Sequence, residues 1–108
     1  MKIVKKENVI EKKFNKYLIK TGLNIKKNKI ETGTVIFKSN SRIPREGFGV
    51  HNFDEISYII EGKINVHFQE ESFEVEKGDY IYIPKREKHY SSNVLREDCI
   101  VLYIKVNN

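Results

Sequence analysis

The feature that most constrains this chain is its punctuation. From Gly22 onward, short runs rich in Val, Ile, Tyr and Phe are cut by Gly, Pro or a charged turn. The cuts recur at about eight to twelve residues, the spacing of short strands. Tyr80-Ile-Tyr-Ile83 stops at Pro84, and the run from Glu55 to Ile60 stops at Glu61-Gly62. In the run after Gly62, Ile64, Val66 and Phe68 alternate with Lys63, Asn65 and His67. Successive strand side chains leave opposite faces, so this alternation is that of a half-buried strand. Strands are predicted over Thr34–Lys38, Glu55–Ile60, Lys63–Phe68, Ser72–Val75, Tyr80–Ile83, His89–Asn93 and Cys99–Val106. Many short strands with turn signals between them give an all-β barrel or sandwich.

The first part of the chain reads less clearly. Residues 5–19 are the best helical candidate, with Val9, Ile10, Phe14, Tyr17 and Leu18 at mixed spacing. The same stretch also reads as two short strands. Ser39 to Gly47 reads as a polar loop around Pro44. With 108 residues the chain is expected to form one domain, with an N-terminal arm over about 1–30 and a barrel over about 31–106.

Composition narrows the function classes. The single cysteine, Cys99, cannot build an internal disulfide framework and sits in an apolar run, as a buried small hydrophobe would. The N-terminus has no continuous apolar stretch of the signal-peptide kind, and no run approaches membrane-spanning length. A soluble, cytoplasmic protein is expected, with no membrane partner. The net charge of +5 is uneven: residues 1–46 hold 13 Lys/Arg against 4 Asp/Glu, and residues 47–108 hold 7 against 11. The lysines are scattered and follow no helix face, so nucleic acid is an unlikely partner. No Ser-His-Asp arrangement, phosphate loop or dinucleotide fingerprint is present.

Chemistry concentrates in two stretches: His51-Asn-Phe-Asp-Glu55 leading to Gly62, and Gly78 through Pro84 and His89 to Asn93. Two imidazoles and a carboxylate are a facial donor set for a divalent metal. The two stretches resemble the paired motifs of the cupin family. The first motif has the form G-x5-H-x-H-x3–4-E-x6-G; His51, Glu55 and Gly62 match, and Gly49 stands where the first His would be. The second has the form G-x5-P-x-G-x2-H-x3-N; Gly78, Pro84, His89 and Asn93 match, and Arg86 replaces the second Gly.

The resemblance implies a double-stranded β-helix, the small RmlC-like jelly-roll barrel. It implies a metal in the barrel mouth (Fe, Mn, Ni or Zn) on His51, Glu55 and His89; Gly49 in place of a ligand leaves either a further open coordination position or binding too weak to retain the metal. A small polar ligand is expected there, a sugar or an organic acid. The implied activities are isomerase, dioxygenase or decarboxylase, and the alternative is a non-catalytic binding or sensor barrel. Ser57, in phase with Glu55, together with Tyr82 and Arg86, is expected to contact the ligand. One of Arg42, Arg45 and Arg86 is a candidate clamp for a carboxylate or phosphate. Asp54 and His67 are expected to face away from the site. A homodimer is expected from the family and from the apolar final strand, read as a sheet edge needing cover.

Overall fold

The computed structural model describes residues 1–107, and nearly all of its regular structure is antiparallel strand. In chain order these are β1 (Ile10–Lys13), β2 (Tyr17–Ile25), β3 (Ile30–Phe37), β4 (Ser41–Ile43), β5 (Asp54–Glu61), β6 (Lys63–Phe68), β7 (Ser72–Glu76), β8 (Tyr80–Ile83), β9 (His89–Asn93) and β10 (Cys99–Val106). One sheet has the order β1-β2-β3-β10-β5-β8, and the other β4-β9-β6-β7. From β3 to β10 the chain passes repeatedly between the sheets, and only β6 and β7 are consecutive within one. This is the all-β jelly-roll barrel that the sequence predicts.

The apolar phase of each strand explains the closure. Phe37, Ile59, Ile64, Val66, Ile83, Cys99 and Val101 come from both sheets and form one buried cluster. Cys99 is fully buried, which pushes its thiol pKa up to about 11 and suits a packing residue. Gly62 turns β5 into β6 with φ of +85°, and a Cβ there would lie 2.4 Å from the Asp98 carbonyl oxygen. Both facts leave glycine as the residue that fits.

Three expectations are corrected. Residues 5–19 form no α-helix. A short 3-10 turn (Lys6–Asn8) leads into β1, which pairs with β2 from Ile10↔Thr21 to Lys13↔Leu18. Ile10, Phe14, Tyr17 and Leu18 fall at helical spacing, but pairing of β2 along β3 overrides that pattern. The Ser39–Gly47 loop contains β4, which pairs with β9. The final strand is not an edge: β10 lies between β3 and β5, with Cys99, Val101 and Tyr103 buried and the alternate residues half-buried.

Candidate functional site

The inner face of the six-stranded sheet is ordered in rows. Toward one end, strand register sets Glu31, Lys105 and Glu55 side by side on β3, β10 and β5. The next row holds Thr21, Gly33, Tyr103 and Ser57. The row beyond is hydrocarbon: Ile19, Val35, Val101 and Ile59. Charge therefore gives way to hydroxyls and then to hydrocarbon within three rows. Between the sheets lies a cavity of about 160 Å³, lined mostly by apolar side chains, with Glu55, Ser57, His89, Ser91, Tyr103 and Lys105 as its polar lining.

Gly33 makes the middle row possible. Its missing side chain lets the Tyr103 ring lie across the strand, and a Cβ would come 2.8 Å from the phenol oxygen and 2.1 Å from the Lys20 carbonyl oxygen. Tyr103 thereby donates to Glu31 Oε2 at 2.8 Å. Burial, reinforced by that bond, pushes its pKa up to about 12 and keeps it a neutral donor.

His89 enters from the opposite sheet, at the start of β9, and not from a strand adjacent to β5. Its Nδ1 lies 2.9 Å from the Glu87 carbonyl oxygen. A carbonyl only accepts, so Nδ1 carries a proton. His51 lies in the loop before β5, stacked on Phe53 with ring centroids 4.3 Å apart. Its ring stands 4.7 Å from that of His89. His51 Nδ1 is buried with no hydrogen-bond partner. Burial, with repulsion from His89 and Lys105, lowers the His51 pKa to about 4, so the ring is neutral at physiological pH. Burial raises the Glu55 pKa, against the opposing pull of His89, Lys105 and a 3.4 Å hydrogen bond from Ser57.

The fit to a metal can be read from these donors. A half-buried imidazole with one buried, unused nitrogen stands beside a second imidazole whose Nδ1 is anchored on a backbone carbonyl, the arrangement common behind metal-bound histidine. The donor types suit a divalent transition metal. Among the described residues, no three His, Cys, Asp or Glu side chains already group as a ligand set. Two imidazoles are brought together, and Glu55 lines the neighbouring cavity without completing a triad. Gly49 pairs with His89 through both backbone bonds (2.8 and 3.0 Å), and a Cβ there would meet the Pro44 ring at 3.1 Å.

Other sequence candidates fall outside the cavity. Ser57 is buried and lines it, but Tyr82 is 62% exposed on the outer face, because strand alternation sends Ile81 and Ile83 inward. Arg86 is exposed in the loop after β8 with φ of +68°. Arg42 donates to the Arg45 and Gly47 carbonyls and lies 3.8 Å over the Tyr90 ring. No arginine lines the cavity, and Lys105 is the cation there. One signal could have found it. Cys99, Val101, Tyr103 and Lys105 share a phase, so the inward series of the last strand ends in a charge.

Asp54 faces away as expected and accepts from the Lys85 backbone N–H at 2.9 Å. His67 also leaves the core face, yet it is only partly exposed. It stacks on Tyr90 at 4.1 Å and is hydrogen-bonded by both nitrogens, to Ser72 and Ser92.

These features have known counterparts. The Cupin domain family profile matches residues 43–105, more than half of the chain, and the chain belongs to that family. A segment of 41 residues is 46% identical to an uncharacterized protein of Methanocaldococcus jannaschii; it covers 38% of this chain and 33% of the relative, so the match spans about a third of that relative's length. Among solved structures, the polyketide cyclase RemF of Streptomyces resistomycificus is similar with a TM-score of 0.81 and 17% identity, over 100% of this chain and 80% of that one. An RmlC-like cupin of Shewanella frigidimarina gives a TM-score of 0.79 and 15% identity, over 98% and 90%. At these identities the structures share the fold.

Proposed function

We propose that this cupin binds a small organic molecule in its barrel, with the polar end at the Glu31–Lys105–Glu55 row. The observation that carries the reading is the cavity, apolar in its depth and polar at one end. Pockets of that composition orient a ligand by a few polar groups while apolar burial supplies affinity. The lining favours an organic acid over a sugar, whose many hydroxyls would lose water without partners. Ser57 is the ligand contact retained from the sequence.

The proposal includes a divalent transition metal (Fe, Mn, Ni or Zn) held by His51 and His89 with Glu55 as third donor. The unpartnered nitrogen of His51 and the anchored ring of His89 support it. Such a metal would act as a Lewis acid toward a ligand oxygen. The chain's own contribution is to keep the His51 imidazole neutral, to hold the Tyr103 hydroxyl on Glu31 and to exclude water with the apolar rows. Isomerase, dioxygenase or decarboxylase chemistry belongs to this reading. The second reading is a metal-free binding barrel, favoured by Gly49 and Arg86 standing at two of the motif positions.

Elemental analysis of untagged protein, beside His51→Ala and His89→Ala, separates the two. Near-stoichiometric metal that falls in both variants supports the metal site. Metal-free protein that still binds ligands after attempted reconstitution leaves only the second reading.

A second copy of the chain is the proposed protein partner. On the outer face of the six-stranded sheet, Ile56 (41% exposed), Ile60 (39%), Tyr80 (75%) and Tyr82 (62%) lie beside Tyr58 on neighbouring strands. A self-complementary apolar face is the usual basis of a two-fold dimer. Light scattering on wild type and Ile56→Glu checks this: a dimer that becomes a monomer is expected, and a wild-type monomer at high concentration overturns it. A cytoplasmic location is part of the same proposal; no described helix is long and apolar enough to cross a membrane.

A further inference from the structure

We propose that Lys105 is the anion anchor of the barrel, and that the cavity selects a small carboxylate whose apolar body is about one ring in size. This inference rests on the ligand-binding reading above and names the class of ligand. Lys105 stands between Glu31 and Glu55 in strand register and lines the cavity. Its side chain is only 35% exposed, and Glu31 Oε2 is its paired carboxylate oxygen, 3.7 Å from Nζ. That separation is beyond hydrogen-bond length. The same oxygen already accepts from the Tyr103 hydroxyl at 2.8 Å. Among the described residues the ammonium makes no hydrogen bond, so it offers its donors to whatever enters. A half-buried cation with unused donors is costly unless something completes it.

The surroundings suit a carboxylate beside a flat or compact body. The Phe53 and Tyr103 rings lie 4.9 and 5.2 Å from Nζ, fixing the cation against aromatic faces. Lys105 and Phe53 also wall an adjoining depression that carries Lys26 and Lys29 beside Glu31, so three lysines face one carboxylate and favour the approach of anions. Below the ammonium, the inner rows become hydroxyl and then hydrocarbon. The volume of about 160 Å³ sets the size. An apolar cavity of about 150 Å³ holds one benzene.

Benzoate, benzamide and benzylamine share the ring and differ in charge, so they test the anchor. Calorimetric titration of the full chain is expected to show benzoate binding at least about tenfold tighter than benzamide, with benzylamine weakest. Lys105→Met should erase the benzoate preference and keep benzamide affinity; Lys105→Arg should keep the preference. Melting curves confirm that each variant is folded. Equal binding of benzoate and benzamide to wild type overturns the anchor and leaves the ligand-binding reading standing. A preference that survives in Lys105→Met also overturns it, since the carboxylate then sits on a metal or elsewhere. If no ring probe binds, both readings fail together.

Discussion

The two ends of β9 carry buried polar side chains from one motif, and they are treated in opposite ways. At its C-terminal end Asn93 is fully buried and every polar group of its amide is engaged. Nδ2 donates to the Phe37 carbonyl at 3.0 Å and the Glu97 carbonyl at 2.8 Å, and Oδ1 accepts from the Leu95 N–H at 3.0 Å. At the N-terminal end His89 uses one nitrogen, and its neighbour His51 leaves a buried nitrogen without a partner. Satisfied buried groups tie a fold together, whereas unsatisfied ones are costs that a bound species can relieve. Asn93 is thus read as structure, and the His51–His89 end as the site.

The sharpest way to break this contrast is to remove each end in turn. Asn93→Ala leaves two carbonyls and an amide unpaired and should cost about 3 kcal/mol in urea unfolding. His51→Asn at neutral pH should cost less than about 1 kcal/mol, because no hydrogen bond of Nδ1 is lost. An equal loss in both variants would abolish the distinction. Zn or Mn at about 100 times its dissociation constant should stabilise the wild type by about 2.7 kcal/mol. Asn93→Ala should keep this gain although destabilised, and His51→Asn should lose it.

Acid sharpens the comparison with a smaller effect. The His51 pKa in the folded state is about 4 against an ordinary 6.5. The unfolded chain therefore binds the proton first, so this contribution is complete above pH 6.5 and is lost as pH falls toward 4. The lowered His67 acts in the same sense, so the diagnostic is the difference between wild type and His51→Asn. Glu55 has the opposite sign: its raised pKa means that stability is lost as pH rises from the ordinary carboxylate value of 4.5. Glu55→Gln should consequently deepen the acid-side loss of metal-free protein in pH-resolved melting. The smallest effect is expected on the outer face. Tyr82→Ser should change benzoate affinity by no more than about 0.5 kcal/mol; a larger loss in the monomeric Ile56→Glu background would return Tyr82 to the site.

Much of this was legible in the residues themselves. Strands β6, β8 and β10 follow the alternating or apolar runs that predict them, Gly62 marks the turn into β6, and Gly78 and Pro84 bracket β8. Alternation also places Ser57 and Glu55 on one face and Asp54 and His67 on the other. The same rule applied to Tyr82 would have sent it outward, since Ile81 and Ile83 needed the core. The family resemblance correctly gave the barrel. Residues 5–19 were ambiguous because four-residue strands carry too few apolar positions to define a period.

Local pattern determined which residues form strands and which face each shares, because backbone geometry repeats every two residues. Only the tertiary structure decided which faces meet. Lys105 lies between Glu31 and Glu55 because β10 pairs with both β3 and β5, and no spacing along the chain encodes that pairing. His89 reaches His51 from the other sheet, and Pro44 fills the space beside Gly49, for the same reason. Strand order and packing are settled by the joint burial of residues far apart in sequence, so the charge and donors of the site emerge only when the barrel closes.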